Sequence, residues 1–415
     1  MKHFAIRIDH QSQTEGLVTK LLSDYKPKGF EVLQDKSGAL FSIAEIAHYL
    51  DKEERHGIKI LTTALSQSLL SMSSGERKKA LLQHLLCQKP DFLILINPFD
   101  HLDMESQKDL RNRLSELAKT ISIIQFASRV DDILEFTTDF FELREDRLID
   151  YASAEDLATS LPQKEIFVAS IPQVIKKEIL DMTEFVRFQK VSVCFEGKKV
   201  LQNISWSIKK GEFWQLVGPN GSGKSTLLNM ITGDSHKGFG QNLWLFGNLK
   251  GSGESVWDIK KNIGYFTPSM TDKFRGHHTI ENMLISGLHD SIGLYNTPSE
   301  AEKRLTLQWI NVLNLTEKKH GYFHELSNGQ KRLVMLARAM VKHPPLLILD
   351  EPTSDLDDTN AHLFVALVNK IAKETDTTIL FVSHKPEPSL KPLHTYQLIP
   401  SPNGSTGKTV TFKND

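Results

Sequence analysis

Nine consecutive residues, Gly218-Pro219-Asn220-Gly221-Ser222-Gly223-Lys224-Ser225-Thr226, have the types and spacing that hold a polyphosphate. The glycines let successive backbone N–H groups turn inward around phosphate oxygens. Lys224 adds a point charge at the β- and γ-phosphates, and the Ser225 hydroxyl can ligate magnesium. Phe213 to Val217 ahead of the loop reads as an apolar strand, and Leu227, Leu228 and Met230 behind it begin a helical pattern, so the loop opens onto a helix N-terminus that favours an anion. A second string, Pro402-Asn403-Gly404-Ser405-Thr406-Gly407-Lys408-Thr409, looks similar but puts proline at the first glycine and runs into strand-like Val410-Thr411-Phe412. It is expected to be the turn of a hairpin that begins with Tyr396 to Ile399.

Carboxylates follow at a fitting distance. Leu346 to Leu349 is a buried-strand run ending in Asp350-Glu351-Pro352. Asp350 is placed to hold magnesium, directly or through water, and Glu351 to polarise an attacking water. Phe381-Val382-Ser383-His384 is another buried strand, whose terminal imidazole could reach the γ-phosphate.

The elements that position these groups occur twice. Leu326-Ser327-Asn328-Gly329-Gln330 runs into Leu346 to Pro352, and Met72-Ser73-Ser74-Gly75-Glu76 runs into Phe92 to Pro98, with 21 positions from Gly329 to Asp350 and from Gly75 to Ile96. In the earlier copy Ile96 and Asn97 replace the two carboxylates, and Arg129 replaces His384. The run from Gly16 to Asp24 parallels Thr226 to Asp234, which sets Phe4 to Ile8 as the incoming strand, Gln13 at the Gly223 position, Thr14 at the Lys224 position and Glu15 at the Ser225 position. None of these three can cradle phosphate. Ser73, Ser74 and Gly75 still begin a helix, with Ala80, Leu81, Leu82, Leu85 and Leu86 at helical spacing, and such a start offers N–H groups and a hydroxyl to a γ-phosphate. The plainer reading is a helix cap.

The order of cradle, Leu-Ser-Asn-Gly-Gln loop, strand with Asp350-Glu351, Ser354-Asp355-Leu356-Asp357 and Ser383-His384 resembles the ATP-binding cassette (ABC) ATPases over about residues 185 to 400. The resemblance implies an α/β fold: two tandem P-loop cassettes with mostly parallel sheet cores and helical subdomains, the first truncated and degenerate. It implies ATP and Mg2+ as ligands and ATP hydrolysis as the activity. It also implies head-to-tail pairing of cassettes, so that the signature loop of one (Ser73 to Gly75, or Ser327, Gly329 and Gln330) caps nucleotide on the cradle of the other. Phe195 falls where the family stacks an aromatic on adenine, and Asp357 falls in its inter-cassette loop. The family's glutamine after a Gly-Tyr strand is absent, since Thr267-Pro268-Ser269 follows Ile263-Gly264-Tyr265-Phe266.

The expected domains are a degenerate cassette at 1–155, a linker at 156–184 containing Pro162 and Pro172, and an intact ATPase cassette at 185–415. The single working site would combine the second cradle with the first signature loop, within one chain or across a homodimer. Segments Ser286 to Tyr295 and Gly251 to Lys261 are similar to tandem-cassette proteins labelled as molybdate-transport or photorepair ATPases. The corresponding role is the ATP-binding component of a transport system with a separate membrane permease. The alternative is a non-transport regulator that is ribosome-associated, repair-linked or nucleotide-responsive. Ribosome factors of the family carry a long basic helical linker that is missing here, and no long heptad insertion separates Lys224 from Ser327.

Composition bounds the rest. With 415 residues, a formal net charge of −1 and 24% charged residues, nothing draws the chain as a whole to DNA or to an anionic membrane. No apolar run approaches membrane-spanning length. The expected place is the cytoplasm or the cytoplasmic face of a membrane. Cys87 and Cys194 lack metal-ligand spacing, and Cys87, at the end of an apolar helical stripe, is expected to be a buried small hydrophobe.

Overall fold

Short apolar runs closed by turns make strands buried on both faces, and the chain carries two sets of them. The structure is a computed structural model that describes residues 1–62, 67–160, 167–173, 182–274, 276–294, 296–387 and 389–411. Pro162, Tyr295 and Phe412 lie outside the described residues. By its internal contacts the chain divides into one unit of Met1–Gln163 with Asp355–Thr359, and another of Lys164–Ser354 with Asn360–Asp415.

In the first unit, β1 (Phe4–Ile8), β2 (Gly38–Phe41), β3 (Phe92–Ile96), β4 (Ser122–Ala127), β5 (Asp139–Arg144) and β6 (Arg147–Tyr151) form a sheet ordered β2-β3-β4-β1-β5-β6. Its pairs are parallel except the β5–β6 edge. The helices are α1 (Thr14–Leu22), α2 (Ile43–His56), α3 (Ser74–Cys87), α4 (Met104–Leu117) and α5 (Ala154–Thr159). Residues 156–159, placed in the linker on sequence, belong instead to α5: its Leu157 is buried, and the Leu157 carbonyl accepts from Arg7. Cys87 also departs from expectation. The core-facing residues of α3 are Leu81, Leu82 and Leu85, which leaves the last residue of the helix, Cys87, turned to solvent as a free thiol.

In the second unit, β7 (Glu184–Phe195) and β8 (Lys198–Lys209) make a long antiparallel hairpin. With β10 (Leu243–Leu245) and β11 (Asn248–Leu249) they form a sheet ordered β11-β10-β7-β8. The main sheet takes β9 (Phe213–Val217), β12 (Ile263–Phe266), β13 (Leu346–Asp350), β14 (Thr378–Ser383), β15 (His394–Ile399) and β16 (Thr406–Thr411) in the order β12-β13-β14-β9-β15-β16. Strand for strand this is the order of the first unit, again with one antiparallel edge pair. The backbone repeats in detail. Asn97 and Glu351 sit at φ 42° and 51°, and His101 and Asp355 at 58° and 59°. The β15–β16 hairpin confirms that Lys408 lies in a strand, opposite Gln397, and not in a cradle.

Helices α6 (Lys224–Ile231), α7 (Val256–Lys260), α8 (Ile280–Leu288), α9 (Glu300–Val312), α10 (Asn328–Met340) and α11 (Asp358–Glu374) complete the set. Thr279 and Ser299 are the N-caps of α8 and α9, each side chain accepting from a backbone N–H of the first turn. Gly287 lets α8 and α10 meet closely, because a Cβ there would lie 2.3 Å from the Arg338 carbonyl. Among the described residues no helix is long and apolar enough to cross a membrane.

His343 follows α10 at φ 51°, near Trp309, with its Nε2 buried and lacking a hydrogen-bond partner. Burial pushes its imidazole down to about 4 from 6.5. The unfolded chain therefore binds the extra proton first, so the stability from neutral His343 is full above pH 6.5 and is lost as pH falls towards 4. The loss is on the order of 3 kcal/mol. His343→Asn, which tolerates positive φ and does not titrate, is expected to flatten the fall of Tm across that pH window.

Candidate active site

The cradle between β9 and α6 depends on its glycines. Gly221 and Gly223 have φ of 73° and 95°, and a Cβ on Gly223 would come within 2.6 Å of the Leu201 side chain. No side chain caps α6. The Ser222 hydroxyl is buried without a hydrogen-bond partner, and Lys224 Nζ donates to the carbonyls of Gly218 at 2.7 Å and Pro219 at 3.2 Å. An uncapped helix start, a buried hydroxyl without a hydrogen-bond partner and a buried ammonium at the loop fit a polyphosphate. Leu201 belongs to the β7–β8 hairpin, so that hairpin lies against the cradle. Phe195, 39% exposed, stands at its tip with Lys237 Nζ 5.2 Å from its ring centroid.

Lys224 Nζ also lies 3.3 Å from His384 Nδ1, and His384 Nε2 lies 2.9 Å from Glu351 Oε2. An ammonium can only donate, so Nδ1 is the acceptor and the neutral ring carries its proton on Nε2, towards Glu351. The strand end beneath His384 is fixed by Gln215 Nε2 donating to Ser383 Oγ at 3.0 Å, and by Ser383 Oγ donating to the Lys385 carbonyl at 2.7 Å. Glu351 is itself tied back by its N–H to the Val382 carbonyl at 2.9 Å.

Asp350 ends β13, where burial and then the neighbouring Glu351 push its carboxyl up to about 6, against the opposing pull of Tyr265, Lys224 and His384. Tyr265 Oη lies 3.3 Å from Asp350 Oδ2. Tyr265 belongs to no local motif; in the sequence it is a lone phenol in the run Ile263 to Phe266, and only the pairing of β12 with β13 brings it to Asp350. The Asp350 carboxylate and the Ser225 hydroxyl supply oxygen donors of the kind magnesium prefers.

The two signature loops are both capping boxes. Ser327 caps α10 and exchanges hydrogen bonds with Gln330 at 3.3 Å each way, while a Cβ on Gly329 would fall 1.8 Å from Asn360 Oδ1. In the first unit Ser73 caps α3, its hydroxyl donating to Glu76 at 2.8 Å. Ser74 Oγ donates to the His101 carbonyl at 2.8 Å, and a Cβ on Gly75 would lie 3.3 Å from Ser106 Oγ. Both helices are tied to the loop after their strand by a cation that the motifs did not flag. Arg332 donates to the Pro352 carbonyl at 2.6 Å, and Lys78 to the Pro98 carbonyl at 2.8 Å. Burial pushes the Lys78 ammonium down to about 8.

Elsewhere the first unit carries different chemistry at the matching places. Asn97 donates to Ser128 Oγ at 2.9 Å and accepts from the Ser128 N–H at 2.9 Å, closing locally where Glu351 faces His384. Glu15 is exposed on the first turn of α1. Asp357 groups with this unit, its buried carboxylate accepting from the His10 N–H at 3.3 Å.

This fold and site define an ABC ATPase, and comparison with known proteins bears that out. The family model described as ABC transporter matches residues 201–354. The ABC transporter ATP-binding protein ModF of Escherichia coli is 36% identical over 377 residues, covering 86% of this chain and 74% of its own length. An uncharacterized ABC transporter ATP-binding protein of Schizosaccharomyces pombe is 30% identical over 344 residues, covering 80% and 69%. A chain from a solved assembly of ribosome-bound archaeal Pelota and ABCE1 aligns with 99% of this chain and 75% of its own, at TM-score 0.65 and 15% identity, a likeness of fold alone. The chain belongs to the ABC family. It is an ATPase that takes ATP with Mg2+.

Proposed function

We propose that the chain hydrolyses ATP at one competent composite site, and that it is the ATP-binding component of a transport system acting from the cytoplasmic side with a separate membrane permease. The cradle from Gly218 to Thr226, Asp350, Glu351 and His384 supply the catalytic half, and Ser73 to Gly75 of the first unit supply the cap. Phe195 stacks on the adenine, and Asp357 lies in the inter-cassette contact loop. The observation that carries this reading is an asymmetry: capping-box helix starts occur in both units, whereas the chain of Lys224, His384 and Glu351 has a matching set of Thr14, Arg129 and Asn97 in the first. Transport is supported by the names of the two relatives described above.

Each residue has a separable task. Backbone N–H groups and Lys224 bind the phosphates, His384 holds Glu351 through its Nε2 proton, and the Glu351 carboxylate accepts a proton from the attacking water. Magnesium, when bound, neutralises the charge developing on the phosphate oxygens.

Ser73→Arg tests the cap. It is expected to lower steady-state hydrolysis at least about tenfold while ATP affinity is kept and Tm falls only by the small amount that loss of one helix cap costs, because a guanidinium at the helix start removes the hydroxyl and obstructs the N–H groups offered to the γ-phosphate. Unchanged hydrolysis would exclude Ser73 from the working site. Co-purification with an integral membrane protein is the matching expectation for transport, and co-sedimentation with ribosomes in its place would overturn it.

A further inference from the structure

We propose that Tyr265 is the positioning residue of the metal site, holding the Asp350 carboxylate in the orientation that presents it to magnesium. The inference rests on the assignment of Asp350 to the metal and adds a residue to it.

The placement follows from strand register. β12 runs parallel to β13 with Tyr265 beside Ile348 and Phe266 beside Leu349, so the last side chain of β12 on that face stands two residues short of Asp350. Side chains at alternate positions share a face, which puts Tyr265 with Ile263 on one strand and Ile348 with Asp350 on the next. The ring of Tyr265 packs against the core cluster that contains Ile263, Leu346 and Ile348. A phenol is long enough to cross the remaining gap, and its Oη reaches Asp350 Oδ2 at 3.3 Å. After Phe266 the chain turns through Thr267 into the short 3-10 turn Pro268–Lys273, and its next residues carry no side-chain amide or carboxylate until Asp272.

A donor on one carboxylate oxygen does two things. It fixes rotation about the Cβ–Cγ bond, and so fixes where the other oxygen faces, and it stabilises the ionised form that a metal requires. Packing locks the ring, so the orientation is set before the metal arrives. A phenol offers one O–H donor, which is what the facing carboxylate oxygen accepts.

The test is Tyr265→Phe, which keeps the ring and deletes the hydroxyl. Binding of a non-hydrolysable ATP analogue is titrated with Mn2+ and with Mg2+ and compared with metal-free binding and Tm. The half-saturating metal concentration is expected to rise about tenfold, the scale of one lost hydrogen bond to a charged group. Metal-free affinity and Tm should hold, and hydrolysis should recover at high metal. An unchanged metal titration overturns the proposal. Tyr265→Leu controls for packing: if Phe behaves as wild type and only Leu loses metal affinity, the ring alone matters and the proposal falls. Asp350→Asn in the same titration separates the two levels. If it also leaves the metal dependence unchanged, Asp350 is not a metal ligand and the site reading fails. If it abolishes the dependence while Phe has no effect, only the role of Tyr265 fails.

Discussion

Glu351→Gln is expected to bind ATP as the wild type does and to hydrolyse it about a hundredfold or more slowly, the lower range for loss of a positioned general base. The substitution is close to isosteric, and the amide oxygen still accepts the Nε2 proton of His384, so the 2.9 Å contact and the link onward to Lys224 survive. What disappears is the basic oxygen proposed to take a proton from water. The backbone at Glu351 is left-handed, φ 51°, and is held by the N–H bond to Val382; neither depends on the side-chain charge. Folding should therefore be unaffected. Glu351→Ala should do worse, because it strands the His384 proton as well. Single-turnover hydrolysis with nucleotide affinity measured alongside checks both, and normal turnover in Glu351→Gln would take Glu351 out of the chemistry.

That left-handed position also shows why the first copy could lose its carboxylate at little structural cost. Asn97 occupies the same conformation at φ 42°, and asparagine is among the residues that tolerate it. Its amide then closes on Ser128, the counterpart of the residue that precedes His384. The chemistry has gone while the turn remains.

Such repeats were legible in sequence because they are local. The constant spacing from signature glycine to strand end predicts the same helix and strand in both copies, and the run from Gly16 places the start of α1 at Thr14 opposite the start of α6 at Lys224, where the structure has both. Buried strands such as Phe92 to Ile96 announce themselves by composition. The contacts that tune the site come from pairs distant in sequence, and no local pattern carries them. Tyr265 reaches Asp350 across 85 positions, and His384 reaches Lys224 across 160. Arg332 and Lys78 read as ordinary helix cations until the strand loops they tie are placed beside them. Cys87 was misjudged for a related reason: an apolar neighbourhood in sequence says little about which side of a helix end faces solvent.

Lys224→Ala is expected to weaken ATP binding by about 3 kcal/mol, or roughly a hundredfold, the sum of two charge-assisted hydrogen bonds at the low end of their range. The ammonium is buried, and in the free protein it satisfies the Gly218 and Pro219 carbonyls and the Nδ1 of His384. Its loss removes the charge from the β/γ-phosphate region and also removes the donor that folds the cradle back over itself. These two effects predict different results with different nucleotides. AMP has no β- or γ-phosphate, so if charge dominates, its affinity should change little while that of ATP falls the full amount. If collapse of the loop dominates, both should weaken together and Tm should drop. Charge is expected to dominate, because the turn also rests on the glycines at φ 73° and 95° and on the seating of Gly223 against Leu201, none of which involves the lysine. Full ATP affinity in this variant would sink the assignment of Gly218 to Thr226 as the phosphate cradle.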